Sequence, residues 1–287
     1  MPKHLRIFRR PIAALVVIVS LAIGAHAALN KRIPDAAEAI SSEQNTDSAK
    51  KASRIALVIG NGHYPDADEA LAQPINDARA LTASLRRNGF DVDIVEDAKK
   101  NDMSRAIVRL KSKVKSDSVV VLFFSGYGIE VSRENYMLPV DATIWKESDV
   151  RREAISIESV LGVMKEQGAP AKLVVVDASR RNPYERRFRA FSHGLVPIDA
   201  PDNALILTSA APGKITDDSK GRYSVLMAEL LNNLNVPAAD AEAVFNKTRI
   251  AILQASDGEQ VPSVSSSLRG NVQLTSGAGK PAKETGG

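Results

Sequence analysis

The sequence predicts an α/β fold, a mostly parallel sheet of roughly six strands with helices on both faces. Three observations predict it. Several apolar runs are continuous rather than alternating, as in strands buried on both faces. Stretches with helical apolar spacing separate them, giving the order βαβαβ…αβ…βαα. Two of the runs also stop abruptly at small or polar residues, and in such sheets the ligand crevice lies beyond the carboxyl ends of the strands.

The first strand is Ile55 to Gly60, an unbroken apolar run that ends in glycine. Asn76 to Asn88 follows as a helix, with Ala78, Leu81 and Leu85 on one stripe and Gly89 just past its end. Val92 to Val95 is the second strand. Asp102 to Val114 is a helix with Met103, Ile107, Leu110 and Val114 on one face, and Asn101 or Asp102 is its expected N-cap. Ser118 to Phe124 is the third strand, Leu173 to Val176 the fourth and Ala204 to Thr208 the fifth. Arg222 to Leu234 and Ala238 to Gln254 are the last long helices.

A chain of 287 residues holds one sizeable α/β domain with extensions. Its net charge of +4 comes from the start of the chain, where Lys3, Arg6, Arg9 and Arg10 face no acid within residues 1–27. The remainder carries 34 basic and 34 acidic residues, so the basic balance gives no support for a nucleic-acid partner. Residues 1–27 read as a signal peptide: a basic start, an apolar stretch from Ile12 to Gly24, then Ala25-His26-Ala27. The same stretch, left uncleaved, would be an N-terminal anchor and the only reason to expect a membrane partner. Export to a periplasmic or secreted location is the expectation, with inner-membrane anchoring as the alternative. Residues 28–52 and 276–287 read as polar or Gly/Lys/Pro-rich linkers, leaving 53–275 as the folded domain. The chain has no cysteine, which excludes a cysteine nucleophile and a thiolate metal site. No phosphate-binding glycine loop, dinucleotide motif or metal-ligand cluster is apparent, so no cofactor and no metal is expected.

Two strand ends carry the functional signal. They are Phe123-Phe124-Ser125-Gly126-Tyr127-Gly128 and Val175-Val176-Asp177-Ala178-Ser179-Arg180-Arg181-Asn182-Pro183. If the third and fourth strands are adjacent, Tyr127 and Ser179 share one crevice. These motifs resemble the SGHG and DACRxNP motifs of the caspase–metacaspase family of peptidases, in its bacterial orthocaspase-type form. Further segments resemble that family in the same order: Arg54 to Asn61, Pro74-Ile75-Asn76-Asp77-Ala78, the hairpin Asn135 to Ala142, Ala211-Pro212-Gly213, Gly221-Arg222 and Gln260-Val261-Pro262. The resemblance implies a caspase-like three-layer fold and a cysteine-type endopeptidase ancestry. It puts Tyr127 at the position of the general base and Ser179 at that of the nucleophile, a degenerate dyad expected to be inactive.

The chemistry of the substitutions explains that expectation. A cysteine thiol ionises near pH 8.5 and an adjacent imidazole lowers this, whereas a serine hydroxyl attacks only while a base removes its proton. A free tyrosine ionises near pH 10, so about one in a thousand is phenolate at pH 7. By resemblance to the basic-specific metacaspases, Asp77 and Asp177 would shape a pocket for a substrate arginine or lysine. Each also has a plainer reading, Asp77 as a helix cap and Asp177 as an acceptor for loop amides. Gly126 and Gly128 would permit positive φ in a tight turn or, by resemblance, add amides to an oxyanion hole. The arginines at 180, 181, 186, 187 and 189 are a solvated loop, a basic segment that occupies its own acidic crevice, or a processing site. Trp145 is expected to pack.

Three functions follow as expectations. One is an inactive pseudopeptidase acting as a binding or regulatory scaffold for a protein or basic peptide, an active caspase-like relative among the candidates. Another is an active hydrolase with Ser179 as nucleophile, assisted by Tyr127 or by His63 from the loop after the first strand. The last is a structural envelope module.

Overall fold

The computed structural model describes residues 52–66, 70–184, 194–216 and 221–275. The leader, all but the last residue of the 28–52 linker, the 276–287 tail and the arginines at 186, 187 and 189 lie outside the described residues. In chain order the elements are β1 (Arg54–Gly60), α1 (Pro74–Arg87), β2 (Asp91–Glu96), α2 (Lys100–Lys113) and β3 (Val119–Ser125). Then come β4 (Gly128–Val131), β5 (Glu134–Met137), α3 (Glu147–Glu153), β6 (Ile155–Ser156) and α4 (Ile157–Glu166). The chain continues with β7 (Ala171–Asp177), β8 (Ala204–Thr208), α5 (Val225–Leu234), α6 (Ala241–Ala255) and β9 (Ser263–Ser266).

The main sheet has the order β2-β1-β3-β7-β8-β9. The first five of these strands run parallel and β9 closes the row antiparallel to β8. Alternate residues of each strand feed two separate cores, as the two-residue period of a strand requires. Leu57, Ile59, Leu122, Phe124, Val174 and Val176 pack with Met103 and Leu110 of α2 and Leu161 and Met164 of α4. Ala56, Val58, Phe123, Val175, Leu205 and Leu207 pack on the other face with Leu81 and Leu85 of α1, Leu226 and Leu230 of α5 and Phe245 of α6. Each fully buried side chain of this size contributes about 1.5–3 kcal/mol. Burial on both faces is therefore what makes these strands read as unbroken apolar runs.

A second, three-stranded sheet, β4-β5-β6, hangs on the carboxyl end of β3. Ser132 and Arg133 turn the β4–β5 hairpin with φ of 52° and 67°, the left-handed pair that matches strand twist. A third core lies under this sheet, with Tyr64, Tyr127, Ile129, Tyr136, Leu138, Ile144, Val150 and Tyr184.

Several boundaries differ from the sequence reading. Helix α2 begins two residues earlier, with Lys99 as N-cap, and Asp102 reaches back to accept from the Lys99 amide at 3.3 Å. The final helices begin later, because Ser224 caps α5 and Asp240 caps α6. Ala238, the expected start of the last helix, has φ of 51° and so lies outside it. The hairpin is formed by β4 and β5, of which only β5 falls in the expected Asn135 to Ala142 segment. Trp145 is 64% exposed, where packing was expected. Among the described residues no helix is long and apolar enough to cross a membrane.

Candidate functional site

The site is built from neighbouring strand ends. Ser125, the last residue of β3, pairs in register with Asp177, the last residue of β7, so the turns carrying Tyr127 and Ser179 lie side by side. Val176 pairs with Thr208, so Ser209 continues the same row beyond β8. Ser125, Asp177 and Ser209 each lie two residues beyond a side chain of the α1/α5 core, which puts all three on the side of the sheet occupied by α1. All three are buried, and Ser125 Oγ, Asp177 Oδ2 and Ser209 Oγ have no hydrogen-bond partner. Unpaired buried polar atoms of this kind are uncommon.

Asp77 reaches the row from the first turn of α1. Together with Gln73 and Asn76 it grips the segment entering α5. Gln73 Nε2 donates to Gly221 O at 3.3 Å, Asn76 Nδ2 donates to Arg222 O at 3.2 Å, and the Asp77 carboxylate accepts from the Ser224 amide at 3.2 and 3.4 Å. Asp77 thus bonds to a distant segment rather than capping its own helix. Burial, and then the charge of Asp177, push its carboxyl up to about 7, against the Ser224 hydrogen bonds and the Arg180 charge. The structure therefore brings the two acidic residues together, each fully out of solvent.

Arg180 is buried as well, at 5% exposure, although the sequence reading favoured a solvated loop. Its Nη1 donates to Gly126 O at 2.9 Å and to Asp177 O, and its Nη2 lies 3.8 Å from Asp177 Oδ2. One guanidinium thereby ties the β3 turn to the β7 turn and stands beside the acidic pair.

Tyr127 is part of the third core. Its ring meets Tyr64 edge-on, with centroids 4.9 Å apart and planes at 67°. The Tyr64 hydroxyl accepts from the Tyr127 amide at 3.0 Å and donates to Leu138 O at 3.1 Å. Burial pushes that hydroxyl far above the ordinary tyrosine range, so it stays neutral and structural. Ser179 is 1% exposed, and its carbonyl accepts from the Thr216 amide at 2.6 Å. Among the described residues no hydrogen bond reaches Ser179 Oγ.

The glycines match expectation only in part. Gly126 has the expected positive φ, at 159°, whereas Gly128 opens β4 and does not. What they require is space: a Cβ on Gly126 would lie 2.5 Å from Tyr64 Oη, and one on Gly128 would lie 2.9 Å from both Ala178 Cβ and Ala178 O. Their amides donate to Asp177 O at 3.3 Å and Ala178 O at 3.1 Å. They extend the β3–β7 pairing, and neither is directed at a developing oxyanion as the resemblance implied.

His63 lies apart from Ser179. Its Nδ1 is 2.6 Å from Oδ2 of Asp97, in the turn after β2, and the Gly62 and His63 amides donate to Asp97 Oδ1. Burial alone would raise the Asp97 carboxyl, but these hydrogen bonds outweigh it and hold the group below its ordinary value. The sheet order puts β2 on the opposite side of β1 from β3 and β7, which directs His63 away from the crevice.

Sequence reasoning gave no role to Tyr64, Asn61, Ser209 or Ser224. Asn61 is the clearest of these, since it sits at the end of an otherwise apolar strand run. Its Nδ2 donates to Leu138 O and its Oδ1 accepts from the Ala98 amide. Gln260, which the sequence did single out, donates to Ser209 O at 2.8 Å and so anchors the turn that leads into β9. A pocket between Leu195–Ile198 and strands β8 and β9 is lined by none of Tyr127, Ser179, Asp77 or Asp177. Among the described residues no three His, Asp or Glu side chains converge as a metal site would.

A mostly parallel sheet with helices on both faces, whose two adjacent central strands end in paired turns carrying the motif residues, defines an α/β protein of the caspase-fold class. The chain belongs to the caspase domain family, whose model matches residues 53–273. It is similar to mucosa-associated lymphoid tissue lymphoma translocation protein 1 of Homo sapiens, at 28% identity over 144 residues, half of this chain and 17% of that protein. The Mus musculus homolog of that protein aligns at 27% identity over 133 residues, 46% of this chain and 16% of the relative. The chain thus spans about a sixth of the curated relatives it matches.

Proposed function

We propose that this chain is a caspase-fold binding module without cysteine-peptidase activity, in which Tyr127 and Ser179 stand at the positions of the family's dyad. One observation carries the reading: the chain contains no cysteine, and the two turns beyond β3 and β7 present a packed tyrosine and a buried serine whose hydroxyl no described residue hydrogen-bonds. Losing either member of a hydrolytic pair costs on the order of 10⁴–10⁶ in rate, and both are replaced here. The partner is a protein or peptide offering a basic side chain to Asp77 and Asp177, a match of buried carboxylate to guanidinium or ammonium. The basic-then-apolar leader supports a site of action outside the inner membrane.

The test is cleavage of arginine- and lysine-ended reporter peptides by the full chain, beside Ser179→Ala. No turnover from folded protein is the expected result. Turnover that disappears in Ser179→Ala would overturn the reading and make Ser179 a nucleophile.

A further inference from the structure

We propose that Arg180 is a tethered occupant of the acidic end of the crevice, which a partner's arginine or lysine reaches only by displacing it. The inference rests on the binding function proposed above and adds a gate to that same site. Its basis is the contrast between where the guanidinium sits and what it leaves unsatisfied.

Arg180 stands within ion-pair distance of Asp177, at 3.8 Å, and its charge opposes the raising of the Asp77 carboxyl. It therefore supplies the counter-charge that a basic ligand would supply. Asp77 is 0% and Asp177 2% exposed, so neither carboxylate presents itself to a peptide arriving from solvent.

Two hydrogen bonds of that guanidinium go to the main chain. Its Nη1 donates to two main-chain carbonyls, Gly126 O and Asp177 O. Asp177 Oδ2, Ser125 Oγ and Ser209 Oγ stay without hydrogen-bond partners, although they share one row across three adjacent strands. An incoming guanidinium brings five donors in a planar fork, and an ammonium brings three. Either can satisfy acceptors that Arg180 does not, which gives displacement a driving force. The opposing term is proximity: Arg180 lies three residues from Asp177, so its effective concentration at the site is in the millimolar range or above. A free basic peptide competes against that concentration in the intact chain.

A purely structural arginine and a gate differ in one respect. Removing a structural arginine only destabilises the protein, whereas removing a gate also creates binding. The assay is fluorescence anisotropy of a labelled peptide ending in arginine amide, with a glutamine-ended control, on the full chain. Arg180→Gln is expected to bind the arginine peptide about tenfold or more tightly than wild type. The gain is expected to vanish in Arg180→Gln/Asp177→Asn and to be absent in Arg181→Gln, which makes the same change in net charge. A folded Arg180→Gln that binds no better than wild type, or an equal gain in Arg181→Gln, overturns the proposal.

Should the glutamine variant fold poorly, Arg180→Ala is melted with low-millimolar guanidinium ion, well below denaturing levels. A rise in Tm that wild type does not show supports the gate, and no rise overturns it. Both readouts are independent of turnover. Reporter cleavage through Ser179 would sink the non-peptidase reading without touching this one.

Discussion

Replacing Asp77 by asparagine should make the protein more stable at alkaline pH. Asp77 is fully buried beside Asp177, and burial first, then the Asp177 charge, raise its carboxyl from an ordinary 3.8 to about 7. A carboxyl raised on folding binds its proton more tightly in the native state than in the unfolded chain. Its contribution to stability is fully present below pH ~4 and is lost as pH rises through about 7. The span is about three pH units, and at ~1.4 kcal/mol per unit the ceiling is ~4 kcal/mol. Asparagine removes the charge and keeps an oxygen to accept from the Ser224 amide, the bond that holds the entry to α5. Thermal melts of wild type and Asp77→Asn from pH 4 to 9 read the difference directly, because every other titrating group is common to both. A gap of ~2–4 kcal/mol in favour of the variant should open between pH 4 and pH 8. At about 2–4 °C per kcal/mol for a domain of this size, that is roughly 5–15 °C in Tm. A gap that stays constant with pH, or one in which wild type gains above pH 7, would refute the account of Asp77 as a costly buried charge.

Two further substitutions probe the scaffold under the crevice. Tyr64→Phe removes the hydroxyl that accepts from the Tyr127 amide; Leu138 O keeps the Asn61 Nδ2 donor, and loss of the buried amide's acceptor should cost ~1–3 kcal/mol in denaturant unfolding. An unchanged midpoint would show that water replaces it. Gly128→Ala forces a methyl to within 2.9 Å of Ala178 at the β3–β7 junction, and overpacking there should cost ~1–3 kcal/mol, read as a lower Tm. A neutral Gly128→Ala would show that the junction yields freely.

The main sheet was legible because β1, β3, β7 and β8 are buried on both faces, and continuous apolar runs have few other uses. Strand β9 was not legible. Ser263-Val264-Ser265-Ser266 has no strand pattern of its own and is held in the sheet by backbone pairing to β8. The two-residue β6 depends likewise on its pairing with β5. At the site, the motifs pointed to Tyr127, Ser179, Asp77 and Asp177, and the strand order does bring these turns together. Their surroundings could not be read, because burial and pairing are tertiary. Arg180 looks like any loop arginine until Gly126 and Asp177 turn out to lie against it, 54 and 3 residues away in sequence. Gly126 has the positive φ that its motif suggested, but the close approach of Tyr64 to it and of Ala178 to Gly128 is something local sequence does not announce.

The edge-on contact between Tyr127 and Tyr64 bears on the history open to this chain. An aromatic pair of this geometry is worth about 0.5–1.5 kcal/mol beyond its buried area, and an imidazole at position 127 would forgo that and the ring's apolar contacts. Drift towards histidine would therefore meet a stability barrier before it could deliver any chemistry. An imidazole there would also face a serine rather than a sulfur nucleophile at position 179, so that first change would carry its cost alone. Packing of this kind works as a ratchet, in which a ring wedged between two turns makes every replacement at its position costlier than the last.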